Sequence, residues 1–223
     1  MWPRLRSAVD DLCWLLDRGY ATPSALKLVG DRYSLTQRQR VAVGRCSCSQ
    51  AAGAARAVRR VNADELRGRT LAIDGYNVLT TVEAALAGGV LLIGRDGALR
   101  DMASVHGTFR TVTETLPAIV LIGELLQRIG VARAVWYLDS PVSNSGRLKT
   151  LLRETAESRG WPWEVELVPS PDRVLKLAAR EETPAIVASS DSVILDGCGP
   201  WVDLPRSVVE DREVTTLLIN LEV

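Results

Sequence analysis

The chain of 223 residues is poor in imidazole and in thiols, and it lacks any apolar stretch long enough to cross a bilayer. A single histidine, His106, excludes sites that need two imidazoles, the H-E-x-x-H hydrolases among them. No G-x-S-x-G serine elbow accompanies it, so a structural, hydrogen-bonded role is expected. Four cysteines in a chain this long make no disulfide framework and point to a reducing cytoplasm. Cys46-x-Cys48 has no second pair at zinc spacing and reads as two ordinary thiols. The best apolar run, residues 118–126, is broken by Glu124 and falls short of the roughly 20 residues a membrane helix requires. Arg4, Arg6, Asp10 and Asp11 stand where a secretory signal would be apolar.

Net charge is absent too, with 27 basic and 27 acidic residues, but it is unevenly distributed. Residues 1–69 hold 13 Lys and Arg against 6 Asp and Glu, whereas residues 70–223 hold 14 against 21. Such a split speaks to partners more than the total does. The arginines of the first part suit phosphate contacts, Arg38, Arg40, Arg45, Arg56, Arg59 and Arg60 foremost. The competing reading, equally weighted, is that this basic face docks on the acidic remainder. An apolar share of 47% with 24% charged residues excludes disorder and leaves enough material for a core.

Leu5, Val9, Leu12, Leu15 and Leu16 recur at helical spacing over residues 4–18, with Trp14 beside them and expected to pack. Thr22-Pro23 reads as a cap and first helical residue opening a second helix to about Val29. Ser34 or Thr36 can cap a third running to Arg45, and residues 49–61 form a fourth. The division is placed at 1–62, a basic helical module, and 63–223, an α/β domain. In the second part short apolar runs at 70–73, 90–93, 134–138, 164–168 and 185–188 alternate with helical segments at 116–129, 147–159 and 173–181. Three of the runs are apolar on both faces, as strands inside a parallel sheet are. The fold class is therefore α/β, a three-layer, open, mostly parallel sheet preceded by a small all-helical N-terminal module.

The three central runs each end in an aspartate: Asp74, Asp139 and, through Ser189-Ser190, Asp191. In open parallel sheets ligands bind beyond the carboxyl ends of the strands. Two carboxylates about 4 Å apart repel by roughly 4 kcal/mol at an effective dielectric of 20, so a cluster needs compensation. With no second imidazole and no thiolate pair nearby, the donors are all oxygen, which selects Mg²⁺ or Mn²⁺. Such ions bind phosphates and activate water for in-line attack. Singly, each motif also reads as a turn or a helix cap, Gly75 then taking positive φ; their coincidence at three strand ends favours a site.

Leu-Ala-Ile-Asp-Gly-Tyr-Asn-Val-Leu (71–79) resembles the opening motif of PIN-like, NYN-type nucleases, and Val-Ala-Ser-Ser-Asp (187–191) resembles their later strand end. With Asp96-Gly97, Arg100-Asp101, the segment 139–143 and Ser190-Asp191-Ser192, the chain is similar over nearly its full length to an uncharacterised prokaryotic family: a helical module followed by a PIN-like domain. The resemblance implies a metal-dependent endoribonuclease with Asp74, Asp139 and Asp191 catalytic. Asp172, in Pro-Ser-Pro-Asp (169–172), joins them as a fourth metal ligand. Asn77 and Ser190 would hydrogen-bond the carboxylates, and Asp96 and Asp101 would stand behind them. PIN enzymes carry a further acid on a helix between the first two motifs, a place for which Glu83, Asp96 and Asp101 compete. Arg147 and Lys149 would contact phosphates near Asp139. The expected partner is RNA, single-stranded or structured; no membrane is expected, and self-association into a homo-oligomer is compatible with the composition. The alternative is a non-catalytic RNA- or partner-binding protein that keeps the fold. A haloacid-dehalogenase-type phosphatase needs a second aspartate where Tyr76 stands, and no Asp-x-Asp occurs.

Overall fold

A computed structural model describes residues 2–102, 108–178, 185–212, 214 and 216–221. His106 lies outside them. Helices α1 (Trp2–Asp17), α2 (Thr22–Arg32), α3 (Gln37–Cys46) and α4 (Gln50–Arg59) form the N-terminal part. The leucine and valine stripe of α1 meets Ala25 and Val29 of α2 and Val43 of α3 in one core. The second helix begins at Thr22 itself, with Ala21 as its uncapped preceding residue and Pro23 in the first turn. Of the two caps expected for α3, Thr36 is the one used: its hydroxyl accepts from the Gln39 amide, and the Gln39 side chain accepts from the Thr36 amide. Trp14 does not pack as expected; it is 54% exposed, with the Arg18 guanidinium 3.5 Å above its ring.

Beyond a short 3₁₀ turn at Ala63–Leu66 lies a five-stranded parallel sheet. Its strands are β1 (Thr70–Asp74), β4 (Arg133–Asp139), β5 (Trp163–Val168), β6 (Ile186–Ala188) and β7 (Trp201–Val202), in the order β5-β4-β1-β6-β7. Side chains alternate across it. Leu71 and Ile73 of β1 join the core formed with α5 (Gly75–Leu86), α6 (Thr115–Ile129), α7 (Ser145–Arg159) and α10 (Leu204–Asp211). Ala72 and Val187 instead meet Leu175 of α8 (Pro171–Leu177) and Ile194 of α9 (Ser192–Leu195). The result is the three-layered arrangement that both-face apolar strands require.

The expected strand at 90–93 forms as β2 (Val90–Ile93), but in a different sheet. It pairs antiparallel with β3 (Leu99–Arg100) and parallel with β8 (Leu217–Asn220). The reversal at Gly94–Gly97, with Gly97 at φ 71°, turns the chain back and keeps it from crossing to the large sheet. This small sheet is the seam between the two parts. Leu92 and Ile219 face the helical core, while Leu91 and Ile93 face Ala85 and Leu99. All four thiols are buried; burial pushes Cys46 up to about 12 and Cys48 to about 11, so both stay protonated and inert. No described helix is long and apolar enough to cross a membrane.

Candidate active site

The first and central strand, β1, has the two-strand arm β4-β5 on one side and β6-β7 on the other. The chain's direction of winding therefore reverses beside β1, and a crevice opens at the carboxyl ends of the strands flanking that point. Asp74, the last residue of β1, lies there. The helix α5 starts at the next residue, so Gly75 is no turn glycine and its φ is not positive. Its role is close approach: a Cβ would lie 2.5 Å from Cδ2 of Leu138 and 3.0 Å from the carbonyl oxygen of Tyr137. Direct entry from strand to helix holds the Asp74 backbone rigid.

Across the crevice, Ser189 Oγ donates to Asp74 Oδ2 at 2.8 Å and accepts from the Asp191 amide at 3.0 Å. Asn77 and Ser190, expected to donate to the carboxylates, bind each other instead. Asn77 Oδ1 accepts from the Ser190 amide at 2.8 Å and from its hydroxyl at 3.2 Å. Ser189 is thus the side chain that holds the Asp74 carboxylate, and Asn77 reaches it only through its backbone amide. The place of Ser189 as the first residue of Ser-Ser-Asp (189–191) gave no hint of which serine would turn inward, since that depends on the pleat.

Asp74 is buried, and burial first, then the charges of Asp191 and Asp172, push its carboxyl up to about 7 against the pull of Ser189. Asp191 is half-buried and caps α9, one oxygen accepting from the Val193 amide at 2.7 Å and the Ile194 amide at 3.3 Å. Asp172 is exposed in the first turn of α8. Asp139 ends β4 as expected, yet it does not line the crevice. Burial and the charge of Asp172 raise its carboxyl.

The crevice is a cavity of about 390 Å³ lined by the acids Asp74, Asp101, Asp172 and Asp191, by Arg45 and Arg100, and by Asn77, Thr80, Ser190 and Ser192. Tyr76 also lines it, its hydroxyl buried and without a hydrogen-bond partner among the described residues. Among the described residues no three His, Cys, Asp or Glu side chains already stand close enough together to hold a metal ion.

The three acids that compete for the further position separate cleanly. Glu83 is buried beside Thr115, whose hydroxyl donates to it at 2.5 Å, and does not reach the cavity; burial pushes its carboxyl up to about 7. Burial alone would raise Asp96 as well, but the Arg100 and Arg56 guanidiniums bring it down to about 2. That doubly paired carboxylate is no metal ligand. Asp101 does line the cavity, accepting from the Thr80 and Thr81 hydroxyls at 3.1 and 2.8 Å and from Arg45 at 3.4 Å.

The arginine surface is largely turned inward. Arg56 is 2% exposed and binds Asp96 at 2.6 Å. Arg59 donates to the carbonyls of Leu195 and Cys198, and Arg60 to that of Gly97 while lying over Trp201. Arg45 holds Asp101, and Arg40 is tied to Asp31 and to the carbonyls of Leu35 and Lys27. These guanidiniums satisfy carbonyls and carboxylates that packing would otherwise strand, Arg45, Arg56, Arg59 and Arg60 across to the second part and Arg40 within the helical one. Arg38 and Arg147 are exposed and Lys149 half-buried, none paired to an acid among the described residues.

Sequence comparison matches residues 63–207 to a family described as a domain of unknown function (DUF5616), and residues 4–59 to one described as a protein of unknown function (DUF434). An uncharacterised protein of Methanocaldococcus jannaschii is 31% identical over 191 residues, spanning 86% of this chain and 88% of that protein. No solved structure matches.

Proposed function

We propose, for a chain that belongs to the DUF5616 family of unknown function, a PIN-like, metal-dependent ribonuclease that hydrolyses RNA phosphodiester bonds at the Asp74 crevice. The observation that carries this reading is Asp74 itself: a buried carboxylate at the topological switch of a parallel sheet, bonded to a serine, with two further acids raising its energy. A group placed so costs stability and is kept where it serves chemistry.

The carboxylates lining the crevice, Asp74, Asp191 and Asp172, offer only oxygen, as a hard divalent ion prefers, and Mg²⁺, which keeps several waters, would need only one or two of them. Bound there, Mg²⁺ or Mn²⁺ would neutralise phosphate charge and acidify water. The chain's own residues then have distinct tasks. Ser189 orients the Asp74 carboxylate, and the Asn77–Ser190 pair locks the end of β6 to the start of α5. Arg45, steadied by Asp101, offers a guanidinium to a phosphate entering the cavity. Arg147 and Lys149, near the start of α7, extend that contact along the strand. Asp139 adds negative charge from one strand away and is supporting rather than central.

The non-catalytic binding alternative has one observation in its favour, the use of one Asp191 oxygen as a helix cap. A fluorescent single-stranded RNA incubated with Mn²⁺ decides between them. Wild-type protein cleaves it and Asp74→Asn does not. Intact RNA with both proteins, while the RNA still binds, selects the alternative.

A further inference from the structure

We infer that the helical module is a working part of the crevice, because Arg56, through Asp96 and Arg100, positions the loop that carries Asp191. This rests on the Asp74 crevice being the metal site. The chain of contacts is continuous. Arg100 is 5% exposed; its Nε donates to the Ser190 carbonyl at 2.8 Å, and its two terminal nitrogens grip both oxygens of Asp96 at 2.7 and 2.6 Å. Arg56, from α4, closes the other side of Asp96 at 2.6 Å. It also reaches the Ser192 hydroxyl and carbonyl at 3.4 Å and Asp196 at 2.8 Å. Arg100 meets the same Ser192 hydroxyl at 3.4 Å.

The residues on either side of Asp191 are therefore held from behind by two guanidiniums that share one carboxylate, and from in front by Asn77. Forked, bidentate pairs of this kind fix direction as well as distance. One side of the clamp comes from the helical part and the other from the α/β part, so neither part alone makes the loop rigid. Two guanidiniums face two carboxylates, the buried Asp96 and the exposed Asp196, and the Ser190 carbonyl accepts a further donor of Arg100. Arg56 and Asp96 are positioning residues: they touch the loop, not the ligand.

Arg59 supplies the control. It leaves the same helix and also bridges to the α/β part, but at the Leu195 and Cys198 carbonyls, beyond the Ser190–Ser192 turn. Full-length wild type, Arg56→Ala, Arg59→Ala and Ser192→Ala are compared for Mn²⁺ affinity by electron paramagnetic resonance. Amide hydrogen exchange at Ser190 and Asp191 is followed alongside, with urea midpoints recorded. Loss of a residue behind a metal ligand typically costs ten- to a hundredfold in affinity. The expectation is at least a tenfold loss for Arg56→Ala with faster exchange at Ser190 and Asp191, a smaller effect of the same kind for Ser192→Ala, and neither change for Arg59→Ala. If Arg56→Ala and Arg59→Ala act alike, or Arg56→Ala alters neither readout, the positioning role is refuted. If Arg56→Ala does not fold, Ser192→Ala against Arg59→Ala decides on the same two readouts. Should wild type bind no Mn²⁺, the metal reading of the crevice falls, and the exchange comparison still judges the clamp by itself.

Discussion

Asp74 carries a proton in the folded protein over a pH range where the unfolded chain has already lost it. Its native carboxyl lies at about 7, raised first by burial, against an ordinary value of 3.8. Between those values the native state holds the extra proton, so stability falls as pH rises, by about 1.4 kcal/mol per pH unit, and levels off above 7. Asp74→Asn removes this loss. Its stability relative to wild type, from urea denaturation, should climb by a few kcal/mol between pH 4 and 7.5, and Mn²⁺ at pH 7.5 should stabilise wild type only. Parallel pH curves for the two proteins would show that Asp74 is not the raised group. Asp96 illustrates the opposite solution to the same problem. It is as buried as Asp74, but two arginines hold it ionised, and it serves structure where Asp74 is left for chemistry.

At the scale of elements, the junction of β1 and α5 decides whether Asp74 points into the crevice. Gly75 permits it, since Leu138 and the Tyr137 carbonyl stand where a side chain would be. Gly75→Ala should cost about 1–3 kcal/mol in a urea titration, the usual range for overpacking, and should loosen the crevice. An unchanged midpoint would mean that β4 yields more easily than its interior place in the sheet suggests. The strand ends, the helix periods and the Thr36 cap were readable because period-two and period-3.6 patterns are local. The short β3, β7 and β8 were not, being two to four residues with no pattern of their own. Nor could residue order alone tell that Ser189, and not Ser190, would meet Asp74.

For the whole molecule, the split of charge is in part used internally. Arg45, Arg56, Arg59 and Arg60 join the basic part to the acidic one. Arg38, Arg147 and Lys149, with Arg45 in the crevice, remain as the phosphate contacts kept from the initial set. Four contacts at about 0.7 counterions each predict a log–log salt slope near −3 for single-stranded RNA. Fluorescence anisotropy should give that slope, and Arg147→Ala should reduce it by a little under one unit. A slope of −5 or steeper would mean that the module arginines also face the nucleic acid.

The order of apolar and polar residues by itself determined a helical first part, a parallel α/β second part and aspartates at three of its strand ends, because each follows from spacing along one stretch of chain. Which acids share a crevice, which are neutralised by arginine and which serine holds Asp74 were decided only by the tertiary structure. Those outcomes turn on distances of a few ångströms between segments more than a hundred residues apart, such as Ser189 and Asp74 or Arg56 and Ser192, and a linear pattern carries no such distance.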